Sequence, residues 1–205
     1  YPFLETHDLE GGLWDQYDGD IDPAQLTQAF AKGARDNGVK IIRFCPVTGI
    51  TRNADLWQIE TEAGSIACEK IVNAAGYRAP EIGAMLGRDV PCVSMAHQYL
   101  ITEGIESLRE RSDKLPLLRD PDSSYYLRQE KDGLLLGPYE TNCRAHWTNS
   151  SDPMPEDFSF QLYPDDLDRL EWYIEDACAR VPILGTAGIT RVVNGPIPYT
   201  PDGLP

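Results

Sequence analysis

Basic residues are in short supply. Eighteen lysines and arginines stand against 33 aspartates and glutamates in 205 residues, a formal net charge of −15. Such a charge repels phosphate backbones and anionic lipid, which argues against nucleic-acid binding and against a membrane-surface role. No apolar run approaches the ~18 residues of a membrane span. Histidine is rare, with three copies, and no H-E-x-x-H or H-x-H brings two together, so no metal site is legible. The acidic run Asp15, Asp18, Asp20 and Asp22 lacks calcium-loop spacing and reads as a solvated face. Five cysteines occur, Cys45, Cys68, Cys92, Cys143 and Cys178, with no C-x-x-C among them. That excludes a zinc knuckle and a dithiol redox pair. The odd count points to reduced, mostly buried thiols and a reducing compartment, the cytoplasm or, in a eukaryote, the mitochondrial matrix. The glycine fingerprints of dinucleotide and triphosphate loops are absent, as is the G-x-S-x-G nucleophile elbow.

What is present suffices for a folded core: 41% of residues are hydrophobic, with aromatics along the whole length. Asp22-Pro23 reads as a helix start, with Leu26, Ala29, Phe30 and Gly33-Ala34 at helical spacing and Gly38 at the C-terminal end. Strands are expected at 39–42, 47–50, 56–61 and 65–68, the last two joined by the Ala63-Gly64 turn. A buried strand is expected at 70–76, running into Asn73-Ala74-Ala75-Gly76, then a short helix to Gly87. One long strand is expected over 93–102. Two more, at 125–128 and 134–136, are joined by a hairpin turn at Lys131-Asp132-Gly133. A loop over 142–157 precedes a helix over 165–181, with Leu167, Leu170, Trp172-Tyr173-Ile174 and Ala177 on its buried side. A final strand covers 190–199. This order implies an α/β (α+β) fold, an α/β layer interleaved with a mostly antiparallel sheet.

Few residues suggest chemistry, and each has a plain structural alternative. Val72-Asn73-Ala74-Ala75-Gly76 puts small residues at a strand end, where a backbone can approach a nucleotide; it can equally be a strand ending in a tight turn. His97 sits mid-strand in Ala96-His97-Gln98-Tyr99, where an imidazole can take a proton near neutral pH or serve as a hydrogen-bonded structural group. Alternation sends Tyr125 and Tyr126 to opposite faces, so one phenol can face a site while the other packs. Arg128 points the same way as Tyr126 and suits either a substrate carboxylate or a structural ion pair. His7 and His146 fall in polar loops.

Taken in order, Asp22-Pro23, Gly38-Val39, Val47-Thr48-Gly49-Ile50, Trp57-x-Ile59-x-Thr61, Val72-Asn73-Ala74-Ala75-Gly76, Ala96-His97-Gln98-Tyr99, Tyr125-Tyr126-x-Arg128, Asn194-Gly195 and Thr200-Pro201-Asp202-Gly203 form a set. The set resembles the flavin-dependent amine oxidoreductases of the D-amino-acid oxidase superfamily, in particular the group of dimethylglycine dehydrogenase, dimethylglycine oxidase and sarcosine dehydrogenase. The resemblance covers nearly the whole chain. It implies FAD as cofactor, with Val47 contacting its adenine side through backbone groups and Ala75 and Gly76 near the dinucleotide. It matches His97 to the active-site histidine and Tyr125 to the active-site tyrosine, and leaves Arg128 as a candidate for substrate binding. It implies oxidation of the N-methyl group of dimethylglycine or sarcosine by hydride transfer to FAD. Oxygen or an electron-transfer flavoprotein would take the electrons, and the released carbon would leave as formaldehyde or pass to tetrahydrofolate through a domain not in this chain.

The start at Tyr1-Pro2-Phe3 without Met and the closing turn at 200–205 lead to the expectation of an excised piece, inactive and weakly FAD-binding by itself. Residues 1–90 are then expected to be a partial FAD-binding domain, 91–190 the substrate-binding domain, and 191–205 a return strand. Two other readings stay open: a flavoenzyme for another secondary or tertiary amine, and a non-catalytic relative like the regulatory subunit of pyruvate dehydrogenase phosphatase.

Overall fold

Asp22 begins the first helix as its sequence predicts. In the computed structural model, which describes residues 1–149 and 151–204, its Oδ1 accepts the backbone N–H groups of Ala24 at 2.9 Å and Gln25 at 3.0 Å. These are orphan donors of α1 (Pro23–Asp36), with proline at the first helical position. Gly38 follows the helix at φ +82, a conformation that a side chain resists. α1 buries none of its residues, and Phe30 is 71% exposed.

α1 belongs to the smaller of two units, Ile21–Val93 with the residues from Pro198 onward. This unit also holds an antiparallel three-stranded meander of β1 (Val47–Asn53), β2 (Leu56–Thr61) and β3 (Gly64–Cys68). Ile50 pairs with Ile59, and Ile59 with Ile66, so three β-branched side chains line one face. A 3-10 turn at Gly76–Arg78 leads into α2 (Ala79–Ala84). The strands expected at 39–42 and 70–76 do not form. Both segments are irregular up to the turn at Gly76, and Val39, Ile42 and Val72 are exposed. Apolar character does not make a strand; a partner does, and among the described residues no strand pairs with either.

The larger unit, Tyr1–Asp20 with Ser94–Ile197, holds the core. Its strands are β4 (Val93–Thr102), β5 (Leu118–Asp120), β6 (Tyr125–Glu130), β7 (Gly133–Pro138), β8 (Ala145–His146) and β9 (Ile189–Tyr199). Two helices join them, α3 (Glu106–Arg109) and α4 (Glu171–Arg180). The sheet runs β5-β6-β7-β4-β8, with β9 also pairing with β4. The β5–β6, β6–β7, β7–β4 and β4–β8 pairings are antiparallel. The hairpin turn falls where expected, at Lys131-Asp132, with Lys131 at φ +54. The expected loop over 142–157 yields Ala145–His146 to the sheet.

Leu100, Leu127 and Leu136 align across three strands and pack with Leu170, Ala177 and Val181 in one cluster. Each such leucine contributes roughly 1.5–3 kcal/mol by burial. The helix expected over 165–181 starts late, because the Gln98 side chain takes both backbone groups of Asp166: its Nε2 donates to Asp166 O at 2.9 Å, and its Oε1 accepts Asp166 N–H at 2.8 Å. A 3-10 turn at Leu167–Arg169 intervenes before α4. Leu167 and Trp172, expected inside, are exposed, while Leu170, Tyr173 and Ala177 are buried. Arg180 ties the N-terminal segment down: its carbonyl accepts Glu5 N–H at 2.8 Å, and its guanidinium holds Asp8 at 2.6 Å. The acidic run is not simply a solvated face. Asp22 caps α1, and Asp20 pairs with Lys114 at 2.6 Å. All five cysteines are free, as half-exposed rather than buried thiols.

Candidate functional site

Burial alternates along β4 without a break. Ser94, Ala96, Gln98, Leu100 and Thr102 are buried; Met95, His97, Tyr99 and Ile101 are half-buried on the opposite face. The ladder carries that face across the sheet. Ile101 pairs with Leu135, and Leu135 with Arg128. Since side chains repeat every two residues, Tyr126 shares the face of Arg128, and both share the face of His97.

This geometry separates the two tyrosines. Tyr125, the residue expected beside His97, lies on the core face with no exposed surface, packed in the cluster of Leu100, Leu127 and Leu136. Its hydroxyl donates to Asp120 Oδ2 at 3.5 Å. Burial, then the Asp120 charge, pushes that phenol far above its ordinary value. The sheet thus stands between the Tyr125 ring and His97. Of the pair, Tyr126 is on the histidine's side, which it shares with Tyr99 of β4. Its ring lies over Gly137, where any Cβ would overlap it, and 5.7 Å from the Tyr139 ring between centroids. Burial raises its phenol as well. The signal was present in the sequence: Tyr125 shares its parity with Leu127, and Tyr126 shares its own with Arg128.

Arg128 sits on the same face, with Nη2 3.0 Å from Glu130 Oε2 and Nη1 3.5 Å from Asp20 Oδ2. Its charge already has two carboxylate neighbours.

Two residues beside His97 were not anticipated. β4 and β7 pair only at residues 100–101 and 135–136, so the Gln98 N–H lies past the end of that ladder. Glu140 Oε1 accepts it at 2.7 Å. The same oxygen is 4.0 Å from His97 Nδ1, while Oε2 meets Arg169 Nη2 at 2.9 Å. The Glu140 side chain is 2% exposed, that of Arg169 11% and that of His97 11%. Tyr173 of α4 pins the backbone on either side of Glu140, its hydroxyl accepting Thr141 N–H at 3.0 Å and donating to Tyr139 O at 3.4 Å. Burial lowers the His97 pKa from its ordinary value; Glu140 opposes and Arg169 reinforces this. The imidazole is thus biased toward its neutral, proton-accepting form.

The expected cofactor residues lie in the smaller unit. Val47 opens β1 opposite Thr61, and the register slips between Val47 and Gly49. Ala75 precedes the 3-10 turn, its N–H donating to Asn73 Oδ1 at 3.3 Å. Gly76 adopts φ +59, and no atom lies within 4 Å of where a Cβ would stand. Open, side-chain-free backbone of this kind fits the flank of a bound dinucleotide. Among the described residues no cluster of three or more metal-ligating side chains occurs. Nor is any helix long and apolar enough to cross a membrane.

The mixed α/β chain with its antiparallel sheets has the fold of FAD-dependent amino-acid oxidoreductases such as L-proline dehydrogenase and glycine oxidase. Residues 1–205 match the DAO family, FAD dependent oxidoreductase, and the chain belongs to that family. It is 43% identical over 210 residues to mitochondrial dimethylglycine dehydrogenase of Rattus norvegicus, covering 100% of this chain and 24% of that protein. It is 39% identical over 211 residues to mitochondrial sarcosine dehydrogenase of Homo sapiens, covering 100% and 22%. Among solved structures, L-proline dehydrogenase from P. horikoshii superposes with a TM-score of 0.72 at 26% identity, covering 94% of this chain and 48% of that one. The chain spans about a quarter of the length of the curated relatives it matches.

Proposed function

We propose that this chain is part of a flavoprotein that oxidises the N-methyl group of a small amino acid of the dimethylglycine or sarcosine kind. One observation carries the reading: a chain 43% identical end to end to a dimethylglycine dehydrogenase has a histidine and a phenol on the same half-buried face of its sheet. FAD, when bound, accepts the hydride that leaves the methyl carbon. The nitrogen lone pair drives that departure, so the substrate amine must first lose its proton. His97, biased toward neutrality, takes the ammonium proton. Tyr126, rather than Tyr125, orients the amine or the imidazole from the same face. Arg128 is our candidate for the substrate carboxylate, which would have to compete with Asp20 and Glu130. Val47, Ala75 and Gly76 would flank the dinucleotide through their backbone.

Finer points of the reading follow the relatives. Their names place them in mitochondria, which favours the matrix over the cytoplasm. The electrons would pass to an electron-transfer flavoprotein or to oxygen. The carbon would leave as formaldehyde or pass to tetrahydrofolate.

The test is anaerobic flavin reduction in the full-length protein, with dimethylglycine and with sarcosine. Bleaching of the flavin band by either establishes the reading. His97→Ala and Tyr126→Phe should each slow it, with a loss for the histidine of about 10²–10⁴-fold. Tyr125→Phe should leave the rate nearly unchanged. Equal losses for the two tyrosine variants would overturn the choice between them.

A further inference from the structure

Glu140 is a carboxylate buried beside a histidine and held by an arginine, and its position follows from a gap in the sheet. β7 stops pairing with β4 before it reaches Gln98, and the Glu140 side chain takes the place of the missing strand carbonyl. That substitution sets a negative charge level with residues 97 and 98. Arg169 is delivered independently, from the 3-10 turn held against β4 by the two hydrogen bonds between the Gln98 side-chain amide and the Asp166 backbone. Its guanidinium meets Glu140 at 2.9 Å and Ala96 O at 3.4 Å. Two charges from two separate elements are therefore paired beside one imidazole, with the carboxylate 4.0 Å from its Nδ1.

We propose that the buried Glu140–Arg169 ion pair is the positioning element for His97, fixing which ring nitrogen faces the protein and which charge the imidazole carries near neutral pH. The proposal rests on the reading of His97 as the proton acceptor and deepens it. Nδ1 lies 4.0 Å from Glu140, so the carboxylate's field favours the neutral tautomer protonated there, with Nε2 in the accepting role. The carboxylate alone pulls toward the charged imidazole, against the burial that favours the neutral one. Arg169 opposes that pull and acts with burial toward the neutral form. The remaining charges lie one step out: Asp166 is 3.8 Å from Arg169 Nε, and Arg144 is 3.5 Å from Asp166. The phenols that share the face are those of Tyr99 and Tyr126.

The test is the titration of the His97 ring, read by NMR on the histidine-labelled full-length flavoprotein and assigned with His97→Ala. Glu140→Gln keeps an acceptor for the Gln98 amide but leaves the Arg169 charge uncompensated; the His97 pKa should fall by about one unit. Arg169→Gln leaves the carboxylate uncompensated, and the pKa should rise by a similar amount. The acid limb of the flavin-reduction profile should move the same way in each. The double variant Glu140→Gln/Arg169→Gln restores charge balance and should titrate near wild type, as should Arg169→Lys. These two remain informative if a single variant fails to fold. Shifts of the same sign in both single variants, or none, would overturn the proposal and leave the pair a structural one. Opposite shifts in the ring titration, with no matching movement in flavin reduction, would uphold the pair's control of His97 and instead sink the reading of His97 as the base.

Discussion

The two units of this chain treat their hydrophobic residues in opposite ways. Among the described residues, every buried hydrophobic side chain except Ile50 lies in the unit built on β4, β6, β7 and α4. The other unit has as clear an apolar pattern, yet leaves Phe30, Phe44 and Val72 at 71%, 84% and 87% exposure. Hydrophobic periodicity thus reports a face that can be covered, and only packing reports that it is. In the sheet unit the covered face fixes the register, and the register fixes which side chains are left on the open face. His97 and Tyr126 owe their shared side to Leu100, Leu127 and Leu136 on the other.

The largest expected effect is therefore at that core. Leu127 has no exposed surface and sits between the central strands and α4. Leu127→Ala should cost about 2–5 kcal/mol in denaturant unfolding, the spread reflecting how far the site can collapse. The function should suffer with it, since loss of register moves every side chain on the open face. A cost under about 1 kcal/mol would break the comparison, because the sheet unit would then be no better packed than its neighbour.

A smaller effect is expected on the open face itself. The lack of a side chain at Gly137 leaves room for the Tyr126 ring where it lies across β7. Gly137→Ala must displace that ring, at a cost of about 1–3 kcal/mol from overpacking. Flavin reduction should slow by as much as in Tyr126→Phe while the Leu127 core stays intact. An unchanged rate in Gly137→Ala would mean that the phenol's position is immaterial.

Much of this was legible in the sequence, and the failures have a common cause. α1, the meander, β4 and the β6–β7 hairpin could be read because their signals are local: a cap, a turn, an alternation. The strands at 39–42 and 70–76 were over-read because strand formation depends on a partner elsewhere in space. The late start of α4 follows from Gln98, 68 residues away. His97 was legible as an imidazole in a strand. Glu140 and Arg169 were not, since nothing in Tyr139-Glu140 or Asp168-Arg169 indicates that both end beside residue 97. The resemblance points to Tyr125, whereas the alternation Tyr-Tyr-Leu-Arg, with leucine marking the core face, puts Tyr126 on the side of His97.

The smallest expected effect lies in the other unit and bears most directly on the contrast. Phe30 projects from α1, which is held by its Asp22 cap and Gly38 rather than by burial. With the ring 71% exposed, Phe30→Ala removes little packing, and alanine is the better helix former by a few tenths of a kcal/mol. Denaturant unfolding of the 205-residue chain should change by no more than about 0.5 kcal/mol, with either sign. A loss above about 2 kcal/mol would place the ring in a covered environment, and the unit that looks uncovered would have a core after all. The same substitution in the full-length protein sharpens the point. If it is silent in the short chain and costly in the long one, the apolar stripe of α1 is a face whose cover lies outside these residues, and the difference between the two units is one of partners rather than of pattern.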